Sequence, residues 1–243
     1  MTRWIIRACI ASALLSGCTT RTLSTPSEPN TSLAQLAVPA QVRVVLDMRQ
    51  HSEWTPARRS SARVAASTLE SIFNSAAFAS RLVARRDLQR TENLSGADIL
   101  RVIRSGQSLT ELHKGDTTNK PITLPLAIAP ATPDYAKHDG FTDLDTGIIY
   151  VRKDWLDEKT PCQLAGLLAH EALHRIGFLH TSYYHPWLRR SVPYAVGDLV
   201  IELAEVELGA QCARQKNNPQ SHLRCGYAVS RITWPIFSPR STA

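Results

Sequence analysis

One stretch constrains this chain more than any other: His170-Glu171-Ala172-Leu173-His174-Arg175-Ile176-Gly177-Phe178-Leu179-His180. On an α-helix, histidines four apart share a face, projecting from successive turns so that both imidazoles can reach one point. A third histidine on the next turn of the same helix cannot reach that point and leave room around it. Gly177 removes the difficulty. A glycine can take positive φ, end the helix and turn the chain, so that His180 swings back towards the other two. The segment before the motif favours such a helix. Thr160-Pro161-Cys162-Gln163 offers an N-cap, a proline at the first helical position and a glutamine in the capping-box place. Leu164, Leu167, Leu168 and Ala172 then supply apolar contacts.

Three converging neutral imidazoles suit zinc better than calcium or magnesium, and three protein nitrogens leave one position of a tetrahedral ion for water. The expected cofactor is therefore one catalytic Zn2+ held by His170, His174 and His180. Glu171, beside the first ligand, can face the open side and take a proton from a water there. Five residues at fixed spacing are far more specific than a bare His-Glu-x-x-His.

The eleven-residue motif resembles that of the metzincin clan of zinc peptidases. The resemblance implies a zincin-like fold, histidine ligands at 170, 174 and 180, Glu171 as general base, and hydrolysis of peptide bonds in a peptide or protein substrate. In that clan an edge strand precedes the helix and binds the substrate antiparallel, and the run from Gly147 to Arg152 is expected to be that strand. One departure stands out. Metzincins carry a methionine turn beneath the metal, whereas the only methionines here are Met1 and Met48. Ser191-Val192-Pro193-Tyr194 lies where that turn belongs, with Pro193 as a candidate for the tight turn and apolar floor. Tyr194 is a candidate oxyanion stabiliser, and Tyr183 and Tyr184 compete for the role.

The N-terminus carries export information. A positive start with Arg3 and Arg7, a short apolar core from Ala8 to Leu15, and Leu15-Ser16-Gly17-Cys18 have the shape of a secretory signal. They resemble the bacterial lipobox, which implies removal of residues 1–17, a diacylglyceryl anchor on Cys18 and a membrane-anchored lipoprotein of the cell envelope. Thr19 after the cysteine leans towards the outer membrane by the same resemblance. Residues 18–40 are rich in Thr, Ser, Pro and Asn and read as a flexible tether. Residues 41–243 are long enough for one domain.

The formal charge is +7, with Arg3 and Arg7 in the segment expected to be removed. Arg58-Arg59 and Arg85-Arg86 are dispersed pairs without interleaved aromatics, so no nucleic-acid partner is expected. Asp139, Asp143 and Asp145 lack the full ligand spacing of a calcium loop and read as a solvated turn. The mature chain keeps Cys162, Cys212 and Cys225. Export favours one disulfide, with Cys212–Cys225 the first expectation and Cys162 with either of them the alternatives.

The remaining pattern predicts a strand over 42–46, a helical stretch from Pro56 to about Arg86, and a short helix capped by Ser95-Gly96-Ala97-Asp98 and ended by Gly106. A strand over 122–129 contains Pro125, which points to a sheet edge. A β-prone run follows over 147–152, then the motif helix, a loop at His185-Pro186 and a last helix from about Val196 to Arg214. The fold class expected is α+β: a small mixed sheet with a central zinc-binding helix. Two other functions fit the same residues. One is a zinc amidase acting on peptidoglycan. The other is a non-catalytic envelope lipoprotein with a structural zinc, which Glu171 argues against because a closed structural site has no use for a base.

Overall fold

A computed structural model describes residues 41–49, 51–116, 118–130, 138–180 and 186–209. The expected signal, Cys18, the tether, Tyr183, Tyr184, His185, Cys212 and Cys225 lie outside them. The chain runs β1 (Val44–Met48), a 3-10 turn (His51–Glu53), α1 (Pro56–Asn74), α2 (Ala76–Ala84), α3 (Gly96–Ser105) and α4 (Leu109–His113). Next come β2 (Ile122–Ile128), β3 (Gly140–Thr142), β4 (Ile149–Val151), α5 (Lys153–Glu158) and α6 (Pro161–Ile176). A 3-10 turn (Pro186–Arg190) then leads into α7 (Val192–Leu208).

The strands form one four-stranded mixed sheet in the order β1-β2-β4-β3. β1 and β2 are parallel, as are β2 and β4, while β3 runs antiparallel to β4. The four helices between β1 and β2 supply the long crossover that a parallel pair needs. This is the α+β architecture with a small mixed sheet that the sequence predicts. The edge assignment needs correcting. The strand expected at the edge, Ile149–Val151, is paired on both sides, and β3 takes the edge instead. The turn at Asp139-Gly140 begins β3, and Gly147 (φ 67°) closes the following turn.

Pro125 lies in an interior strand, against the expectation of an edge, and the register explains how. The N–H of Ile122 donates to the Arg43 carbonyl and that of Arg49 to the Leu126 carbonyl, so the even positions of β2 face β1. Pro125 therefore faces β4, whose pairing with β2 begins only at Leu126. Its missing donor falls where no ladder bond is due.

The helical stretch from Pro56 is broken at Ser75, which ends α1 and caps α2. Its backbone is extended (φ −72°, ψ 148°), and its hydroxyl accepts from the N–H of Phe78 at 3.1 Å. One serine thus serves as stop and start. The capping box at Ser95 and the left-handed Gly106 (φ 67°) end α3 as expected. The short α4 is an addition: Ser108 and Glu111 form a reciprocal capping box too brief to carry a periodic apolar signal.

α6 packs against α1, α7, β2 and β3. All its residues except Pro161, Gln163 and Arg175 are buried. Gly166 and Gly197 let α6 and α7 approach closely. A Cβ on Gly166 would lie 2.3 Å from Ile201 Cγ1 and 2.9 Å from the Gly197 carbonyl oxygen, and one on Gly197 would lie 3.0 Å from the Gly166 carbonyl oxygen. α7 also starts four residues earlier than expected. Ser191 is its N-cap and Pro193 lies in its first turn, where a missing N–H costs nothing. Ser191-Val192-Pro193-Tyr194 is a helix start, and no separate tight turn exists there. Among the described residues no helix is long and apolar enough to cross a membrane.

Candidate metal centre

Each part of the motif is placed by a local device. The Thr160 hydroxyl accepts from the N–H of Gln163, and the Gln163 side chain accepts from the N–H of Thr160, so α6 begins in a defined register. From that start His170 and His174 fall on one face, on successive turns. Gly177 ends the helix with φ 113° and ψ 4°, its N–H returning to the carbonyls of Leu173 and His174. The N–H of Phe178 also returns to Leu173, and the turn delivers His180 to the other two histidines.

The three imidazoles converge. His170 Nε2 lies 3.0 Å from His174 Nε2 and 3.0 Å from His180 Nε2, and one ligand atom from each residue falls within a 4.8 Å group. Three nitrogens around a tetrahedral zinc at 2.0–2.1 Å would be about 3.3 Å apart, close to this spacing. His174 Nδ1 donates to the Phe178 carbonyl oxygen at 2.8 Å. That bond fixes the tautomer and turns the Nε2 lone pair towards its neighbours. His170 Nδ1 is buried and has no partner among the described residues. All three rings are buried, at 0%, 4% and 7% exposure. Burial, with the neighbouring histidine charges, holds His170 well below the usual imidazole range. Burial and His180 push His174 down to about 3, against a smaller opposing effect from the Phe178 carbonyl. His170 and His174 are therefore neutral at physiological pH, and three ring nitrogens converging in a buried site favour a cation between them. The chemistry of the donor set fits a metal ion of the nitrogen-preferring kind.

Glu171 is 1% exposed. Burial pushes its carboxyl up to about 8, against the lowering effect of hydrogen bonds from Thr142. The Thr142 hydroxyl donates to Glu171 Oε2 at 2.7 Å and lies 3.3 Å from the Glu171 carbonyl oxygen. Thr142 is a site residue that sequence reasoning missed, because nothing in its short strand marks it and its partner is 29 residues away.

Tyr194 is brought to the centre. Its ring centroid lies 4.5 Å from that of His170, edge to face, and 4.8 Å from that of His180. The close α6–α7 crossing places it there, with Gly197 one turn further along the helix and a Cβ at Gly197 only 3.4 Å from His170 Cβ. The residue whose ring packs on the histidines is thus Tyr194, while Pro193 serves to open the helix. The Asp143 carboxylate accepts the N–H groups of Asp145 and Thr146 and the Thr146 hydroxyl, the pattern of a turn, as expected. Cys162 is disulfide-bonded, and its partner lies outside the described residues. The expectation that left it as the odd thiol is corrected.

Fold and site together define a mixed α+β chain built around a buried three-histidine cluster able to hold one metal ion. Compared with known family models, curated proteins and solved structures, the chain matches none.

Proposed function

We propose that this chain is a zinc-dependent metallopeptidase with a zincin-like, metzincin-related site. The observation that carries the reading is the convergence of three buried imidazoles with an adjacent buried carboxyl whose rotamer is held from a sheet edge. His170, His174 and His180 would hold the ion. Zinc bound there would supply Lewis acidity, polarising a peptide carbonyl and lowering the pKa of water.

The chain's own residues supply the rest. Glu171 takes the proton of the attacking water at a carboxylate oxygen and later delivers it to the leaving amine nitrogen. Its burial favours the protonated form more than an exposed carboxyl would, which suits a group that must pass the proton on. Tyr194, packed on two of the histidines, is the residue best placed to stabilise charge on the carbonyl oxygen. An extended peptide lies along β3, the antiparallel edge strand, in place of the 147–152 run. Export and a lipid anchor at Cys18 would set this chemistry on an envelope membrane, the outer membrane by its lipobox. Incorporation of labelled palmitate that disappears in Cys18→Ala tests the anchor.

The test of the activity is hydrolysis of casein by the full chain, wild type beside Glu171→Gln, with zinc measured in both. The reading expects equal zinc and activity in the wild type alone. A Glu171→Gln chain as active as the wild type would sink it.

A further inference from the structure

We propose that Thr142 is a positioning residue for Glu171, holding the carboxyl through the whole proton cycle and tying it to the strand that borders the substrate. The inference rests on the peptidase reading and deepens it. The geometry is specific. Thr142 is the last residue of β3, is 4% exposed, and reaches two acceptors on Glu171: the side-chain Oε2 at 2.7 Å and the main-chain oxygen at 3.3 Å.

A hydroxyl has one hydrogen and two lone pairs, so it can either donate to a carboxylate or accept from a carboxylic acid. With Glu171 ionised, the Thr142 O–H donates to Oε2. When Oε1 takes a proton from the water, Oε2 becomes the carbonyl oxygen of the acid and still accepts from the Thr142 O–H. Oε2 is hydrogen-bonded in both states with no movement of heavy atoms, which leaves Oε1 as the oxygen that takes the water's proton and returns it. In a site this buried, a carboxyl oxygen without a partner would be costly, and its rotamer would be lost with it. The anchor is on β3, so the strand against which a peptide would lie also sets the angle of the base. Among the described residues no other side chain donates to the Glu171 carboxyl.

The experiment compares the full-length wild type with Thr142→Val, Thr142→Ser and Glu171→Gln. Zinc content, melting temperature, and kcat and KM on a quenched-fluorescent peptide are measured for each. The infrared carboxyl band of Glu171 is read as the difference from Glu171→Gln, in the Thr142 background concerned. Thr142→Val keeps the shape and removes the hydroxyl, and Thr142→Ser restores it. The expected result is a fall in kcat of about tenfold to hundredfold in Thr142→Val, with KM within about twofold and zinc unchanged. Thr142→Ser should recover most of the rate, and the carboxyl band should shift in Thr142→Val alone. A Thr142→Val chain within about twofold of wild-type kcat, beside an inactive Glu171→Gln, overturns this proposal and leaves the peptidase reading standing. A fully active Glu171→Gln removes both. The infrared band decides the positioning claim even if the wild type cleaves no peptide offered, because a band unmoved by Thr142→Val overturns it.

Discussion

Replacing Gly177 by alanine isolates the step that makes a three-histidine site from a two-histidine helix. The backbone at Gly177 has φ 113° and ψ 4°, a region that an L side chain rarely adopts. Holding an ordinary residue in left-handed backbone costs about 1–2 kcal/mol. An added Cβ would also lie 3.3 Å from Leu109 Cβ, so α4 must give by a few tenths of an ångström. A total near 2 kcal/mol lowers the melting temperature by about 4–8 °C for a domain of this size. Relief of the strain by rotating φ would turn the Phe178 carbonyl away from His174 Nδ1 and swing His180 from its neighbours. Loss of such a supporting hydrogen bond typically weakens metal binding about 10–100-fold. The control is Gly115→Ala, where φ is 81° and nothing lies within 4 Å of the new Cβ. It carries the backbone strain without the contact and away from the site. Thermal melts and zinc titration of the two variants separate the effects: both should melt earlier, and only Gly177→Ala should bind zinc more weakly. A Gly177→Ala chain that binds zinc as tightly as Gly115→Ala would show that the glycine cap does not aim His180.

Three further outcomes follow from the same structure. In the metal-free protein Glu171→Gln should stabilise, because the folded carboxyl is held at about 8 against an unfolded value near 4.5. A raised folded value gives stability that is full below pH 4.5 and lost as pH rises towards 8, so the gain in denaturant melts should reach a few kcal/mol at pH 8 and vanish at pH 4. The depressed histidines act at the other end: with His170 and His174 held below 6.5, the unfolded chain takes up protons that the fold refuses. Stability of the metal-free protein should fall as pH drops below 6.5, and His174→Gln should flatten that limb. Gly166→Ala should cost about 1–3 kcal/mol by overpacking, since Ile201 Cγ1 and the Gly197 carbonyl occupy the space of the new Cβ; a melting temperature equal to wild type would refute the close α6–α7 crossing.

Much of the site was legible because local chemistry encodes it. The capping box at Thr160, the helical four-residue spacing and the left-handed glycine are all short-range features, and together they place the three histidines with no knowledge of the rest of the chain. What was not legible depends on partners distant in sequence. Which strand lies at the edge is set by how β3 and β4 pair with β2, and the β-prone character of 147–152 says only that the run is a strand. Pro125 suggests an edge because proline lacks a donor, but a short neighbouring strand can leave that position without a ladder bond in the interior. The break at Ser75 was hidden by apolar spacing that continues across it. Tyr194 was marked only by its position after the motif, and its contact with His170 depends on two glycines in different helices, which single-helix periodicity cannot relate. Thr142 had no signal of any kind, since one hydroxyl in a three-residue strand gains meaning only from the carboxyl it meets.

The central claim is that three histidines on one helix and its turn hold a single ion. Its most direct test is metal analysis of the full chain purified without added metal, beside His180→Ala. One zinc per wild-type chain is expected, and its loss in His180→Ala. A wild-type chain that takes up no zinc, even when zinc is offered, would contradict it, as would a His180→Ala chain that holds zinc as well as the wild type.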